Sequence, residues 1–222
     1  MMIDNNDIDS LLFDMDGTLW DATGSYAAVW NRCFADCGID IRLTGADLVP
    51  YMGKPIEVIV EGITSGRVPA AFSRDAFVAA LGEAEEEMMP QLGGTLYPGV
   101  YRGLEELSRH YRLFMISNCG RNGLRNFMQF THTGHLFTDS VTYGERPVPK
   151  GENMRYLIEK YRLAGAVYVG DTQGDCDETH RAGIPFAYMQ YGFGSCRDYD
   201  MAFGSFADFT QYFLKLIKHE KL

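Results

Sequence analysis

The pattern of apolar and polar positions divides the chain into two kinds of segment. Ser10-Leu11-Leu12-Phe13 is a short apolar run closed by Asp14, Asp16 and the turn residue Gly17, which predicts a buried strand with Asp14 at its carboxyl end. From Asp21 to Gly38, the residues Tyr26, Val29, Trp30, Cys33, Phe34 and Cys37 recur at three-and-four spacing. That is the stripe of an amphipathic helix, and Gly38 ends it. Helical segments are also expected over Pro55 to Ile63 and Ser73 to Met89, with Ser73 as N-cap. The run Glu83-Ala84-Glu85-Glu86-Glu87 reads as a solvated helix face. No strand pattern interrupts these helices, so 21–94 reads as an inserted helical domain between two hinge segments, Gly17 to Asp21 and Gly93 to Gly99.

From Val100 the pattern alternates. Val100, Leu104 and Leu107 mark a helix, Tyr111 to Ile116 a strand, Arg121 to Phe130 a helix, Phe137 to Tyr143 a weaker strand, and Gly151 to Tyr161 a helix. Ala166 to Val169 then reads as a strand, Cys176 to Ala182 as a helix, Pro185 to Met189 as a strand and Phe206 to Lys218 as a closing helix. Such alternation predicts an α/β fold with a mostly parallel sheet covered on both faces, built from 1–20 and 95–222.

Composition narrows the function. A chain of 222 residues with 46% hydrophobic and 23% charged residues can bury a sizeable core, and no apolar run is long enough to span a membrane. The start, Met1 to Asp7, is acidic and has no signal-peptide core, so a cytoplasmic location is expected. Five cysteines fit reduced thiols better than a disulfide framework. Cys33 and Cys37 could share a helix face, but no second pair at metal-site spacing accompanies them, so they read as packing residues. His132 and His135 read as surface residues with a metal role as the minor alternative. A net charge of −10 without a basic cluster argues against nucleic-acid binding. Oligomeric state has no signal in the sequence.

The candidate chemistry collects at strand ends. The first strand ends in Asp14 and Asp16, the strand through Ile116 in Ser117-Asn118, and the strand through Val169 in Gly170-Asp171 with Asp175 beyond; the weaker strand precedes Arg146-Pro147-Val148-Pro149-Lys150. Open α/β sheets bind ligands at this end. Each group alone also reads as a helix cap or a solvated side chain. Together, an acid pair, a hydroxyl, a cation and a second acid pair in one crevice are better explained as a reaction centre.

This ordered set resembles the haloacid dehalogenase-like hydrolase superfamily over nearly the whole chain. Asp14-x-Asp16-Gly17-Thr18 matches the first motif, Ser117 with Asn118 the second, Lys150 the third and Gly170-Asp171-x-x-x-Asp175 the fourth. Arg146-Pro147 occupies a place where many relatives have Lys-Pro, which makes Arg146 the runner-up to Lys150. The resemblance implies a Rossmann-like core and places 21–94 as a helical cap domain, as in relatives of phosphoglycolate phosphatase and β-phosphoglucomutase.

It also implies a division of labour. Asp14 is the expected nucleophile, Asp16 the general acid and then base, and Lys150 the fixed positive charge at the phosphoryl group. Thr18, Ser117 and Asn118 are expected to contact phosphate. Gathered acids around a phosphate need a hard cation, and Mg²⁺ suits few carboxylates plus phosphate and water. Its expected holders are Asp14, Asp171 and, through its backbone carbonyl, Asp16, with Asp175 in support behind them. The implied activity is hydrolysis of a small phosphorylated metabolite through an aspartyl-phosphate. A sugar phosphomutase shares this core and is the alternative, whereas halide displacement is disfavoured because Asp16 would have no alkoxide to protonate. A receiver-like signalling switch also has an aspartate phosphoacceptor, but needs neither the insertion nor Asp16. Gly53-Lys54 could meet substrate or be a solvated loop, and Gly192-Phe193-Gly194 is a weak phosphate-binding fragment.

Overall fold

The computed structural model describes residues 8–219, in which a parallel sheet carries the strand ends that the sequence marks. The acidic start Met1 to Asp7 lies outside the described residues. The six-stranded sheet runs in the order β5-β4-β1-β6-β7-β8. Its strands are β1 (Ser10–Phe13), β4 (Arg112–Ser117), β5 (Asp139–Thr142), β6 (Ala166–Gly170), β7 (Phe186–Met189) and β8 (Met201–Phe203), and every neighbouring pair is parallel. Helices α5 (Val100–Leu107), α6 (Gly123–Thr131), α7 (Lys150–Tyr161), α8 (Gln173–Ala182) and α9 (Phe206–His219) provide the crossovers and the closing layer.

Side-chain alternation along β1 divides the core between the two faces of the sheet. Leu11 and Phe13 join the cluster beneath α5 and α9, while Leu12 joins Phe114, Tyr168 and Phe186 with residues of α7 and α8. Phe13 meets Phe206 and Phe209 at ring distances of 6.1 and 5.9 Å. Truncating such a fully buried ring costs about 3–5 kcal/mol. β1 is therefore fixed from both faces, and the residues after Phe13 inherit its position.

The segment between β1 and α5 is helical: α1 (Thr23–Asp36), α2 (Gly45–Leu48), a 3₁₀ turn (Val49–Tyr51), α3 (Ile56–Thr64) and α4 (Arg74–Leu92). Ser73 accepts from the Ala76 amide and caps α4. The helices share their own aromatic cluster, in which Phe34 stacks on Phe77 at 4.7 Å and Trp30 meets Phe77 at 5.8 Å. Where the chain leaves and returns, β2 (Trp20–Asp21) pairs antiparallel with β3 (Thr95–Leu96). Several short elements are additional to the sequence pattern, among them the pair β2 and β3 within the segments read as hinges, the single turn α2, closed by a Thr44–Asp47 capping box, and β8, too short to show alternation. α4 also runs past Met89 through Pro90, because a proline in the last turn forfeits only one hydrogen bond there.

Candidate active site

The order β4-β1-β6 sets three strand ends side by side. Phe13 pairs with Met115 on one side and Val169 on the other, so Asp14 emerges between the ends of β4 and β6. The Asp14 amide donates to the Val169 carbonyl at 2.9 Å, which fixes the backbone at the point where the strand stops. Ser117 closes β4, Asp171 follows β6, and Lys150 is the first residue of α7.

Lys150 is buried between two carboxylates. Its Nζ lies 3.1 Å from Asp14 Oδ1 and 2.6 Å from Asp175 Oδ1, with all three side chains at most 3% exposed. Burial opposes the ammonium charge, but Asp14 and Asp175 override it and hold the pKa well above that of a free lysine. Asp175 Oδ2 accepts from the Thr172 amide at 3.1 Å and hydroxyl at 2.7 Å, so one carboxylate both caps α8 and seats Lys150. Arg146 is turned elsewhere: its Nε donates to Asn153 at 3.0 Å and its guanidinium lies 4.1 Å from the Tyr156 ring centre.

The acids are electrostatically unequal. Burial raises Asp14 to about 6, with Lys150 pulling the other way. Asp16 is pushed further, to about 8, by burial and then by the Asp14 charge, against a hydrogen bond from Trp20 Nε1 at 2.9 Å. Asp171 is held well above the carboxylate range by burial, Asp175 and Asp14, opposed by the Phe193 amide. Burial and the Asp14 charge thus both favour the protonated form of Asp16.

Asp14, Asp171 and Asp175 offer carboxylate oxygens that all lie within 4.8 Å of one another, the only such metal-capable group among the described residues. Within it, Asp175 is engaged by Lys150 and Thr172. Asp171 Oδ2 accepts from the Phe193 and Gly194 amides at 2.7 and 3.4 Å, whereas Asp171 Oδ1 is buried without a hydrogen-bond partner. An orphaned, buried carboxylate oxygen beside a second carboxylate is the donor set that fits Mg²⁺. Gly17, at φ 80°, lets the Asp171 carboxylate come close: a Cβ there would overlap its amide-bound Oδ2.

The remaining sequence-marked residues take varied positions. Ser117 lines the cavity above Asp14, and its Oγ accepts from the Cys119 amide at 3.3 Å. Asn118 also lines it, but its Nδ2 is given to the Gly53 carbonyl at 2.7 Å, tying the end of β4 to the helical segment. Thr18 is fully buried, with Oγ1 unpaired and its carbonyl taken by the Tyr191 hydroxyl at 2.7 Å; it lies apart from the cavity lining. Lys54 is exposed at the rim, 5.3 Å above the Tyr51 ring. The Gly192-Phe193-Gly194 loop grips Asp171 through its amides. Cys33 is buried as a packing residue whereas Cys37, expected to pack with it, is exposed; His132 and His135 are exposed.

One expectation is overturned in part. The run from Glu83 to Glu87 is not solvated throughout, because Glu85 is half-buried and lines the cavity while Glu83, Glu86 and Glu87 are exposed. That cavity, of about 390 Å³, joins Asp14, Asp16, Ser117 and Asn118 to the helical segment, and its walls include Trp20, Tyr26 and Trp30. Among the described residues, no helix is long and apolar enough to cross a membrane.

Comparison with known proteins follows the same outline. A family model for haloacid dehalogenase-like hydrolases matches residues 11–189. A phosphoglycolate phosphatase from Aliivibrio fischeri is 25% identical over 197 residues, which cover 84% of this chain and 86% of that one. A plasmid-borne phosphoglycolate phosphatase from Cupriavidus necator is 28% identical over 198 residues, covering 83% and 81%. In fold, the chain is similar to a Haemophilus somnus protein described as a predicted phosphoglycolate phosphatase, with a TM-score of 0.80, 23% identity and coverage of 93% and 98%. The chain belongs to the haloacid dehalogenase-like hydrolases, as a phosphatase that resembles the phosphoglycolate phosphatases.

Proposed function

We propose that this protein is a Mg²⁺-dependent phosphomonoesterase that transfers the phosphoryl group of a small metabolite to Asp14 and then to water. The observation that carries this reading is Lys150, buried between Asp14 and Asp175 beside the unpartnered Asp171 Oδ1. Phosphoryl transfer asks a protein for positioned charge, and this cluster is charge fixed in place. Asp14 attacks phosphorus, and the ester P–O bond breaks with its electron pair leaving on the alkoxide. Asp16, protonated at neutral pH, gives that alkoxide its proton. Asp16, now a carboxylate, takes a proton from the water that attacks the acyl phosphate, which returns Asp14 and releases phosphate. Asp14 and Asp171, with the Asp16 carbonyl, would hold Mg²⁺, which would supply positive charge against the phosphate oxygens. Ser117 Oγ donates to a phosphate oxygen, and Lys150 stabilises the charge that develops in the transition state.

Residues 21–94 act in this reading as a cap that covers the reacting group and excludes water. Supporting it, the Asn118–Gly53 hydrogen bond and the contact between Asn122 and Glu86 join the strand ends to the helical segment on the cavity's margin. The test is phosphate release from p-nitrophenyl phosphate with Mg²⁺. Turnover that disappears on chelation and in Asp14→Asn is expected; full activity in Asp14→Asn would overturn the assignment.

A further inference from the structure

The cavity beside Asp14 has walls that a small anionic leaving group would not need. Its volume of about 390 Å³ lies within the range of roughly 300–1,000 Å³ that houses larger organic ligands. A two-carbon acid would leave most of it unfilled. Trp20, Tyr26 and Trp30 contribute aromatic surface, and Ile59, Val78 and Leu81 contribute aliphatic surface.

Two carboxylates of the helical segment line this cavity: Glu57, which is exposed, and Glu85, which is half-buried beside the apolar wall. Phe77, Leu81, Glu85 and Met89 follow one another at four-residue spacing along α4, so they share a helix face. The other three are buried, which makes Glu85 the one charged member of an inward stripe. Its carboxylate lies near the Gly120 backbone, and burial alone raises its pKa to about 7, with no cation offsetting it. Tyr26 feels the same charge: burial, Asp16 and Glu85 together hold its phenol well above the usual value. The one lysine or arginine in the lining is Lys54, which is exposed at the rim above Tyr51.

From this arrangement we infer that the preferred substrate is the phosphate monoester of an amino alcohol with an apolar body, its ammonium group received by Glu85 and the neighbouring aromatic rings. Ammonium ions are attracted to the faces of Trp and Tyr and to carboxylates, and both attractions strengthen where water is excluded. A carboxylate-bearing leaving group would instead meet the Glu85 carboxylate as a like charge. Hydrolysis proceeds as above: the ester P–O bond breaks, the amino alcohol leaves with a proton from Asp16, and water completes the turnover. The inference rests on the phosphomonoesterase reading and deepens it.

The test compares kcat/KM of the Mg²⁺-loaded enzyme for three esters of equal length: 6-aminohexyl phosphate, hexyl phosphate and the phosphate ester of 6-hydroxyhexanoate. The amino ester is expected to lead the neutral one by about tenfold, the scale of one charge-assisted hydrogen bond, with the carboxylate ester last. In Glu85→Gln the amino-to-neutral ratio should fall toward one, and in Glu85→Lys the carboxylate ester should overtake the amino ester. Each readout is a ratio on one enzyme, so a general loss of activity or folding yield cancels. A wild-type preference for the carboxylate ester, or a ratio untouched by Glu85→Gln, overturns the inference. Failure of all three esters together with p-nitrophenyl phosphate would instead overturn the phosphomonoesterase reading.

Discussion

Trp20 donates its indole Nε1 proton to Asp16 Oδ1 at 2.9 Å, and both side chains are buried. Trp20 also begins β2, where the chain departs for the helical segment, so the acid is oriented by the element that leads to the cavity's far wall. That bond fixes the orientation of the Asp16 carboxyl.

This arrangement sets a pH dependence. Asp16 with a pKa of about 8 is protonated below that value, so kcat/KM for an alkyl phosphate should fall as pH rises through about 8. p-Nitrophenyl phosphate, whose leaving group needs no proton, should show a flatter alkaline limb. Asp16→Asn should lose about 10²–10⁴-fold on alkyl esters, the usual worth of general acid–base catalysis. Steady-state profiles for the two ester types check this directly.

The same group predicts how stability depends on pH. Its folded pKa is raised from 3.8 to about 8, so between those values the native state binds more protons than the unfolded chain and stability falls as pH rises. In metal-free protein, Asp16→Asn should therefore gain little at pH 4 and on the order of a few kcal/mol at pH 8, with about 2–4 °C in Tm for each. Thermal melts at the two pH values measure it. A gain that shrinks with rising pH would contradict the sign.

Lys150 and Arg146 should part sharply. Lys150→Met leaves Asp14 and Asp175 buried without their cation, and breaking a buried pair costs about 3–5 kcal/mol. Activity should vanish in that variant. Arg146→Ala, which loses a contact with Asn153 and a ring face, should keep turnover within about threefold, as substitutions away from a site do. Equal losses in both would misplace the cation.

Metal binding should be visible without catalysis. At 100 times its dissociation constant, Mg²⁺ should stabilise the protein by about 2.7 kcal/mol, and protons should be released as the raised Asp14 and Asp171 ionise. Asp171→Asn should abolish both effects. Calorimetry in two buffers of different ionisation enthalpy reads the proton release.

Much of the fold lay open in the sequence, for a local reason. The run Ser10 to Phe13 and the carboxylates after it are adjacent in the chain, and strand pairing alone then sets Asp14 beside Ser117 and Asp171. What stayed hidden depends on distant backbone. The amides of Phe193 and Gly194 reach Asp171 across more than twenty residues, and no side-chain type marks an amide. Glu85 was concealed by its neighbours, since an acidic run reads as solvated, yet Phe77, Leu81 and Met89 placed it on the buried stripe. Thr172 and Asp175 form a capping box that starts α8 at Gln173, three residues before the apolar pattern suggests.

Asp14 as the phosphoryl acceptor is tested most directly by trapping. In Asp16→Asn turning over p-nitrophenyl phosphate, the leaving group departs unaided while water attack is slow, so the acyl phosphate should accumulate. Acid quench, borohydride reduction and peptide mass analysis should then find homoserine at position 14 in a substantial fraction of the protein, and none in the Asp14→Asn, Asp16→Asn double variant. Reduction at another carboxylate, or an unaltered Asp14 while nitrophenol is being released, would contradict the account.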